Sequence, residues 1–191
     1  MRRVVVTEFI TLDGTIEDPG GSEKTPFGGW AFKFERGPEG DKFKLDETMA
    51  SDALLLGRIT YEGFASAWPG RTDDVGFADK FNSMPKYVVS STLMSPEWSN
   101  SHVISGDLEK EIAVLKEGGD GDLVVHGSAQ LARALIELDL VDELRLMVFP
   151  YVAGTGKKLF ADGTPKSLKL VETKQASEVA ILTPQRKLPA T

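Results

Sequence analysis

The chain has 191 residues, ordinary apolar and charged fractions of 41% and 27%, and a formal charge of −7, the scale of one domain with a self-sufficient core. That acidity argues against a nucleic-acid partner, which would need a basic surface. The absence of cysteine excludes disulfides, thiolate metal ligands and thiol catalysis, and two histidines do not supply a histidine-rich metal site.

Taken in chain order, Val4 to Ile10 is a β-rich run that ends in the turn signal Asp13-Gly14. Too short an apolar run precedes Glu8 and Asp13 for a signal peptide, and no later stretch is long enough to span a membrane. The expected location is therefore cytoplasmic. Residues 17–40 are rich in Gly, Pro and charge, with Trp30, Phe32 and Phe34 interleaved. They read as a long ordered loop, with aromatics that either line a pocket or plug a core or interface.

Phe43, Leu45 and Met49 suggest a helix, Ala53 to Gly57 a buried strand, and Arg58 a helix start running to Trp68, where Pro69-Gly70 stops it. Residues 70–83 read as a polar connection. Lys86 to Ser90 and His102 to Ile104 are strands, and Asp107 caps a helix carrying Leu108, Ile112 and Leu115.

Asp122 to His126 is a strand that enters a helix with Leu131, Ala134, Leu135 and Leu138 on one face. Glu143 to Phe149 is another strand, followed by a loop whose Gly154 and Gly156 serve its geometry. Two strands near 168–174 and 178–183 form an antiparallel pair. The domain is expected over residues 1–184, with 185–191 a frayed tail. The total is about eight strands and four helices: an α/β domain of three layers, its sheet mixed but mostly parallel and ending in an antiparallel hairpin. Leu144–Phe149 and that hairpin offer a surface for a homodimer.

The familiar phosphate motifs fail. A dinucleotide fingerprint starting at Gly154 needs glycine where Leu159 stands, and a P-loop ending at Lys157 needs glycine at Tyr151 and a hydroxyl at Lys158. Three strand ends carry suitable chemistry instead. Gly57-Arg58-Ile59-Thr60 offers a close backbone approach, a guanidinium and a hydroxyl at a helix start. Ser90-Ser91-Thr92 offers hydroxyls and amides, and His126-Gly127-Ser128 offers a second helix N-terminus. In a parallel sheet such ends share one edge, where ligands bind. The ligand class is a phosphorylated small molecule, with an enzyme of nucleotide cofactors as the leading reading.

Together the segments TLDGTIE, LLLGRITYE, YVVSSTL and GDLVVHGSAQLARALIELDLVDELRLMVFPYVAGTGKKLF resemble the dihydrofolate reductase superfamily. The nearest branch holds the reductase domain of the bifunctional riboflavin-biosynthesis enzyme, and the likeness runs over residues 3–183. It implies an eight-stranded fold and an NADPH-dependent reductase acting on a small, heterocyclic or carbonyl-containing substrate. By the same resemblance Gly57, Arg58, Thr60, Gly127 and Ser128 bind the pyrophosphate and His126 lines the wall beside them. Ser90 and Ser91 face the adenosine 2′-phosphate, and backbone at Phe9 and Ile16 holds the nicotinamide.

The chain departs from the pattern twice. Members often have Gly-Gly at the junction where His126-Gly127 stands. The riboflavin-pathway enzymes usually carry lysine where Thr15 stands, which counts against a 5-amino-6-(5-phosphoribosylamino)uracil reductase. For a proton donor, dihydrofolate reductases use an acid at the start of the helix before the Gly-Arg motif, the place of Asp41; Asp13 is a second candidate. Each has an ordinary reading too, Asp41 as a helix-dipole residue and Asp13 as a turn former. Without a convincing donor, a non-catalytic protein that binds a ligand or partner on the same fold is the alternative.

Overall fold

A computed structural model describes residues 1–160 and 165–187. Eight strands form one sheet: β1 (Arg3–Thr11), β2 (Ser51–Gly57), β3 (Lys86–Val89), β4 (Ser101–Ile104), β5 (Asp122–His126), β6 (Glu143–Phe149), β7 (Leu168–Ala176) and β8 (Val179–Arg186). Their order is β4-β3-β2-β5-β1-β6-β8-β7. Pairings from β4 through β6 are parallel, and β8 pairs antiparallel with β6 and β7. The parallel strands are buried on both faces, which is why they read as the apolar runs Val4-Val5-Val6, Leu54-Leu55-Leu56 and Leu123-Val124-Val125.

The helices are α1 (Gly37–Ala50), α2 (Arg58–Ala67), α3 (Phe77–Ser83), α4 (Leu108–Glu117) and α5 (Ala129–Glu137). Residues of alternate parity in the strands face opposite layers. Val4, Val6, Ala53, Leu55, Leu123 and Val125 pack on Ile112 of α4 and on Leu131 and Leu135 of α5. On the other face Leu54 and Leu56 meet Tyr61 of α2 and Phe81 of α3. Farther along that face, Met147, Phe149 and Ile181 pack on Trp30.

The expected four helices are corrected to five. The segment read as a polar connection, residues 70–83, contains α3, entered through Gly76 in the left-handed region. Asp73 accepts hydrogen bonds from the Phe77 and Ala78 amides, at 2.9 and 2.5 Å, and so holds the start of this helix. The long loop is shorter than expected, because Trp30–Lys33 is a 3-10 turn and α1 begins at Gly37. Its aromatics divide. Trp30 is fully buried and donates its indole N–H to the Glu17 carbonyl, whereas Phe32 is 82% exposed. The chain does not fray after Pro184 either: β8 continues to Arg186, and the proline lies beside the register shift at Leu170/Glu172 of β7, the kind of place where a sheet tolerates a missing N–H. Residues 188–191 of the expected tail lie outside the described residues.

Candidate functional site

The sheet order sets β3, β2, β5 and β1 side by side and parallel, so their C-terminal ends share one edge. The three strand-end segments singled out in the sequence are thereby neighbours. Gly57 ends β2 and precedes α2, with its backbone N–H donating to Ser128 Oγ at 2.8 Å. Gly127 and Ser128, both in the left-handed region with φ 56 and 63, turn the chain from β5 into α5. A Cβ on Gly57 would lie 3.2 Å from Ser128 Cβ and Oγ, and one on Gly127 would lie 3.4 Å from Thr60 Oγ1. The starts of α2 and α5 thus come together at two glycines, where an added Cβ would be tight at Gly57 and just in contact at Gly127. Each brings unpaired first-turn amides, so the pair forms a positively polarised cradle for an anion.

Around the cradle, Arg58 is exposed and lies on its own helix, its Nη1 bonding both Glu62 carboxylate oxygens at 3.0 Å. At the end of β3, Ser90 Oγ accepts from the Thr92 and Leu93 amides at 3.1 and 3.0 Å, a local turn that leaves Ser91 exposed beside it. His126, half-buried, meets Phe64 and Phe81 edge-on. Burial, reinforced by the Lys44 charge, pushes its imidazole down to about 3, so it is neutral at physiological pH.

β1 extends beyond β5. Its last pairing on that side is Thr7 with His126, so Glu8 to Thr11 pair with β6 alone. This end of β1 lies at the carboxyl edge of the sheet, where ligands of open α/β sheets bind. Two groups that sequence reasoning passed over sit here. Glu8, on the same side of β1 as Val6 and Ile10, is 5% exposed, and its Oε1 finds no hydrogen-bond partner among the described residues. Burial raises its carboxyl well above the usual range, partly countered by Lys44 and the Gly127 amide. On the opposite face Lys44 of α1 reaches Thr7 Oγ1 at 2.9 Å and pairs with buried Glu47, which also faces Arg145 at 3.6 Å. The only signal for Glu8 was a lone acid in an apolar strand. Lys44 and Glu47 gave the spacing of three that joins charges on one helix face.

Of the residues expected at the nicotinamide, Phe9 lies half-buried against Phe149, with Lys44 and Arg36 each 5.7 Å from its ring. The Ile16 side chain is in the core, and its amide donates to the Lys157 carbonyl. The two acids expected as donors are engaged elsewhere. Asp41 stands in the second turn of α1, exposed, and binds Arg36 Nε at 2.6 Å. Asp13 accepts from the Ala153 and Gly154 amides at 3.1 and 2.9 Å and from the Thr11 hydroxyl. It pins the loop after β6 to the turn after β1. Thr15, fully buried, completes that seam through the Thr155 carbonyl. Among the described residues no group of three or more acids or histidines is placed to hold a metal, and no helix is long and apolar enough to cross a membrane.

Comparison with known proteins places this architecture. YyaP of Bacillus subtilis (strain 168), itself described as uncharacterized, is 30% identical over 181 residues, 92% of this chain and 90% of that one. YwjB of the same organism, described in the same way, is 28% identical over 95% of this chain and 96% of its own. A crystal structure from Shewanella sp. PV-4, provisionally named a riboflavin biosynthesis protein, superposes with a TM-score of 0.77 at 23% identity, covering 97% of this chain and 99% of that one. RibD of Acinetobacter baumannii superposes at 0.70 with 13% identity, over 98% of this chain and 58% of its own length. The fold is that of the dihydrofolate-reductase-like reductase domains, as the sequence motifs led one to expect. The model of the RibD C-terminal domain matches residues 2–182, and the chain belongs to that family.

Proposed function

We propose that this protein is an NADPH-dependent reductase of a small heterocyclic or carbonyl-containing substrate. The observation that carries the reading is the meeting of two helix N-termini through the Gly57–Ser128 hydrogen bond, flanked by serines on the β3 side and by the end of β1 on the other. A dinucleotide of this kind has the matching parts: a doubly charged pyrophosphate centre, an adenosine end that carries an anionic 2′-phosphate, and an uncharged reduced nicotinamide end. The residues fit it. Adding a Cβ at Gly57 would crowd the cradle, the first-turn amides of α2 and α5 are free to donate, and Glu8 Oε1 is a buried atom awaiting a partner.

In this reading Gly57, Thr60, Gly127 and Ser128 hold the pyrophosphate, with Arg58 turning from Glu62 to join them. Ser90 and Ser91 receive the 2′-phosphate. Backbone of β1 at Phe9, and the turn leading to Ile16, holds the nicotinamide end. The bound cofactor would supply a hydride. The chain's own contribution is to orient the reactants and exclude water, with half-buried Phe9 at the nicotinamide end backed by the buried rings of Phe149 and Trp30.

A Thermotoga maritima structure that superposes with a TM-score of 0.63 at 16% identity, over 57% of its own length, is named a diaminohydroxyphosphoribosylaminopyrimidine deaminase/5-amino-6-(5-phosphoribosylamino)uracil reductase. That substrate is the second reading. Against it stands Thr15, buried and bonded to the Thr155 carbonyl, where the riboflavin-pathway enzymes usually carry lysine. The test is NADPH oxidation across a panel of heterocyclic and carbonyl acceptors that includes the aminouracil. Turnover of a member supports reduction. Tight NADPH binding with no turnover on any member favours a binding protein on this fold.

A further inference from the structure

We propose that the Glu8 side chain recognises the nicotinamide carboxamide, donating one hydrogen bond to its oxygen and accepting another from its nitrogen. The inference rests on the cofactor reading above and adds a side chain to it. Its basis is position. Along the sheet edge the order is β3, β2, β5, β1, so the phosphate-type donors at Ser90–Ser91 and at Gly57–Ser128 precede Glu8 in one line. Neighbouring strands lie roughly 4.8 Å apart, so β3 to β1 spans about 14 Å, the reach of an extended dinucleotide. A cofactor centred on the cradle with its 2′-phosphate toward β3 brings its other end to β1, where the pairing with β5 has ended.

Glu8 is the first residue past that last pair, with Oε1 buried and unpartnered among the described residues. A buried polar atom left alone is costly, and a ligand that satisfies it gains in proportion. The carboxyl has few charged neighbours. Lys44 and Glu47 approach from α1, His126 ends β5, and Arg145 of β6 faces Glu47 on the far side of the sheet. The residues that α5 buries are the apolar Leu131, Ala132 and Leu135. Burial therefore outweighs Lys44 and the Gly127 amide, and the acid keeps its proton beyond the usual carboxylate range. A neutral carboxylic acid offers one donor and one acceptor side by side, the complement of a carboxamide; a carboxylate offers acceptors only.

The experiment is calorimetric titration of wild type, Glu8→Gln and Glu8→Ala with NADPH and with 2′-phosphoadenosine 5′-diphosphoribose, which lacks the nicotinamide, across pH 5 to 9. Thermal melts confirm that each variant is folded. Glutamine keeps a donor and an acceptor. The inference therefore expects Glu8→Gln to bind NADPH at all pH values as tightly as wild type does at low pH. Wild type should lose affinity as pH rises and Glu8 ionises, and Glu8→Ala should bind roughly tenfold more weakly throughout. All three should bind the nicotinamide-free fragment alike. Equal loss of both ligands in Glu8→Ala, or NADPH affinity unchanged in that variant, overturns the assignment while leaving the cofactor site standing. Failure of wild type to bind either ligand overturns the cofactor reading and this inference with it.

Discussion

The backbone N–H of Gly57 donates to Ser128 Oγ at 2.8 Å, joining residues 71 positions apart and tying the start of α2 to the start of α5. The bond does two things: it closes the β2–β5 edge, and it fixes the spacing of two sets of helix-end amides. Ser128→Ala leaves the Gly57 amide without its partner and should cost about 1 kcal/mol of stability. Gly57→Ala forces a Cβ to 3.2 Å from Ser128 Cβ, so it should weaken NADPH binding about tenfold or more. Denaturant melts and cofactor titration on the two variants check both statements.

Arg58 is paired with Glu62 one helical turn on, and both side chains are about half exposed. An exposed pair of this kind contributes little, so Arg58→Ala should change stability by less than about 0.5 kcal/mol. Its cofactor affinity should nevertheless fall about tenfold, because a charge-assisted contact to phosphate is lost. Glu62→Ala frees the guanidinium and should leave NADPH affinity equal or improved, with the difference growing at low ionic strength.

Asp13 joins the turn after β1 to the loop after β6. The Thr11 hydroxyl, with the Ala153 and Gly154 amides, holds its carboxyl below the usual range. A depressed carboxylate contributes stability that is present above its unfolded value and is lost as pH falls through the folded one. The wild-type melting temperature should therefore drop below about pH 4. Asp13→Asn, which presents one acceptor in place of two, should melt lower at neutral pH and show a shallower acid decline. A melting series from pH 2 to 7 on both proteins tests this.

Glu8 and His126 act on stability from opposite sides. The folded-state carboxyl of Glu8 is raised. It ionises first in the unfolded chain, so stability is lost as pH climbs from about 4.5 toward the folded value. Folded His126 is lowered to about 3. The unfolded chain takes up that proton first, so stability is lost as pH falls below about 6.5. Glu8→Gln should raise the melting temperature at pH 7 to 8 and flatten the alkaline limb, leaving the acid limb as it is. His126→Gln should flatten the acid limb between pH 6 and 4.

Much of this was written plainly in the chain. Strands buried on both faces had to be apolar runs, and β1, β2 and β5 were visible as such. The two cradle glycines stood where strand passes to helix, with hydroxyls beside them in the sequence. α1 was harder to bound because its inward face carries Lys44 and Glu47 in place of an apolar stripe. α3 is two turns long and owes its place to Phe81, packed among Tyr61, Phe64, Trp68 and Trp98. Such partners are invisible to local periodicity. Asp41 was placed by its distance before Gly57 and Asp13 by its turn, and spacing alone does not show that the first binds Arg36 and the second the loop after β6. Glu8 escaped notice because its meaning depends on β5 ending one residue short of it, a fact of register between strands distant in sequence.

If three strand ends form one dinucleotide site, titrating the wild-type protein with NADPH and with NADH, with tryptophan fluorescence and thermal shift followed together, should show it. Saturable NADPH binding is then expected to raise the melting temperature, with NADH weaker because Ser90 and Ser91 have no 2′-phosphate to meet. Absence of any shift with either cofactor at millimolar concentration would contradict it.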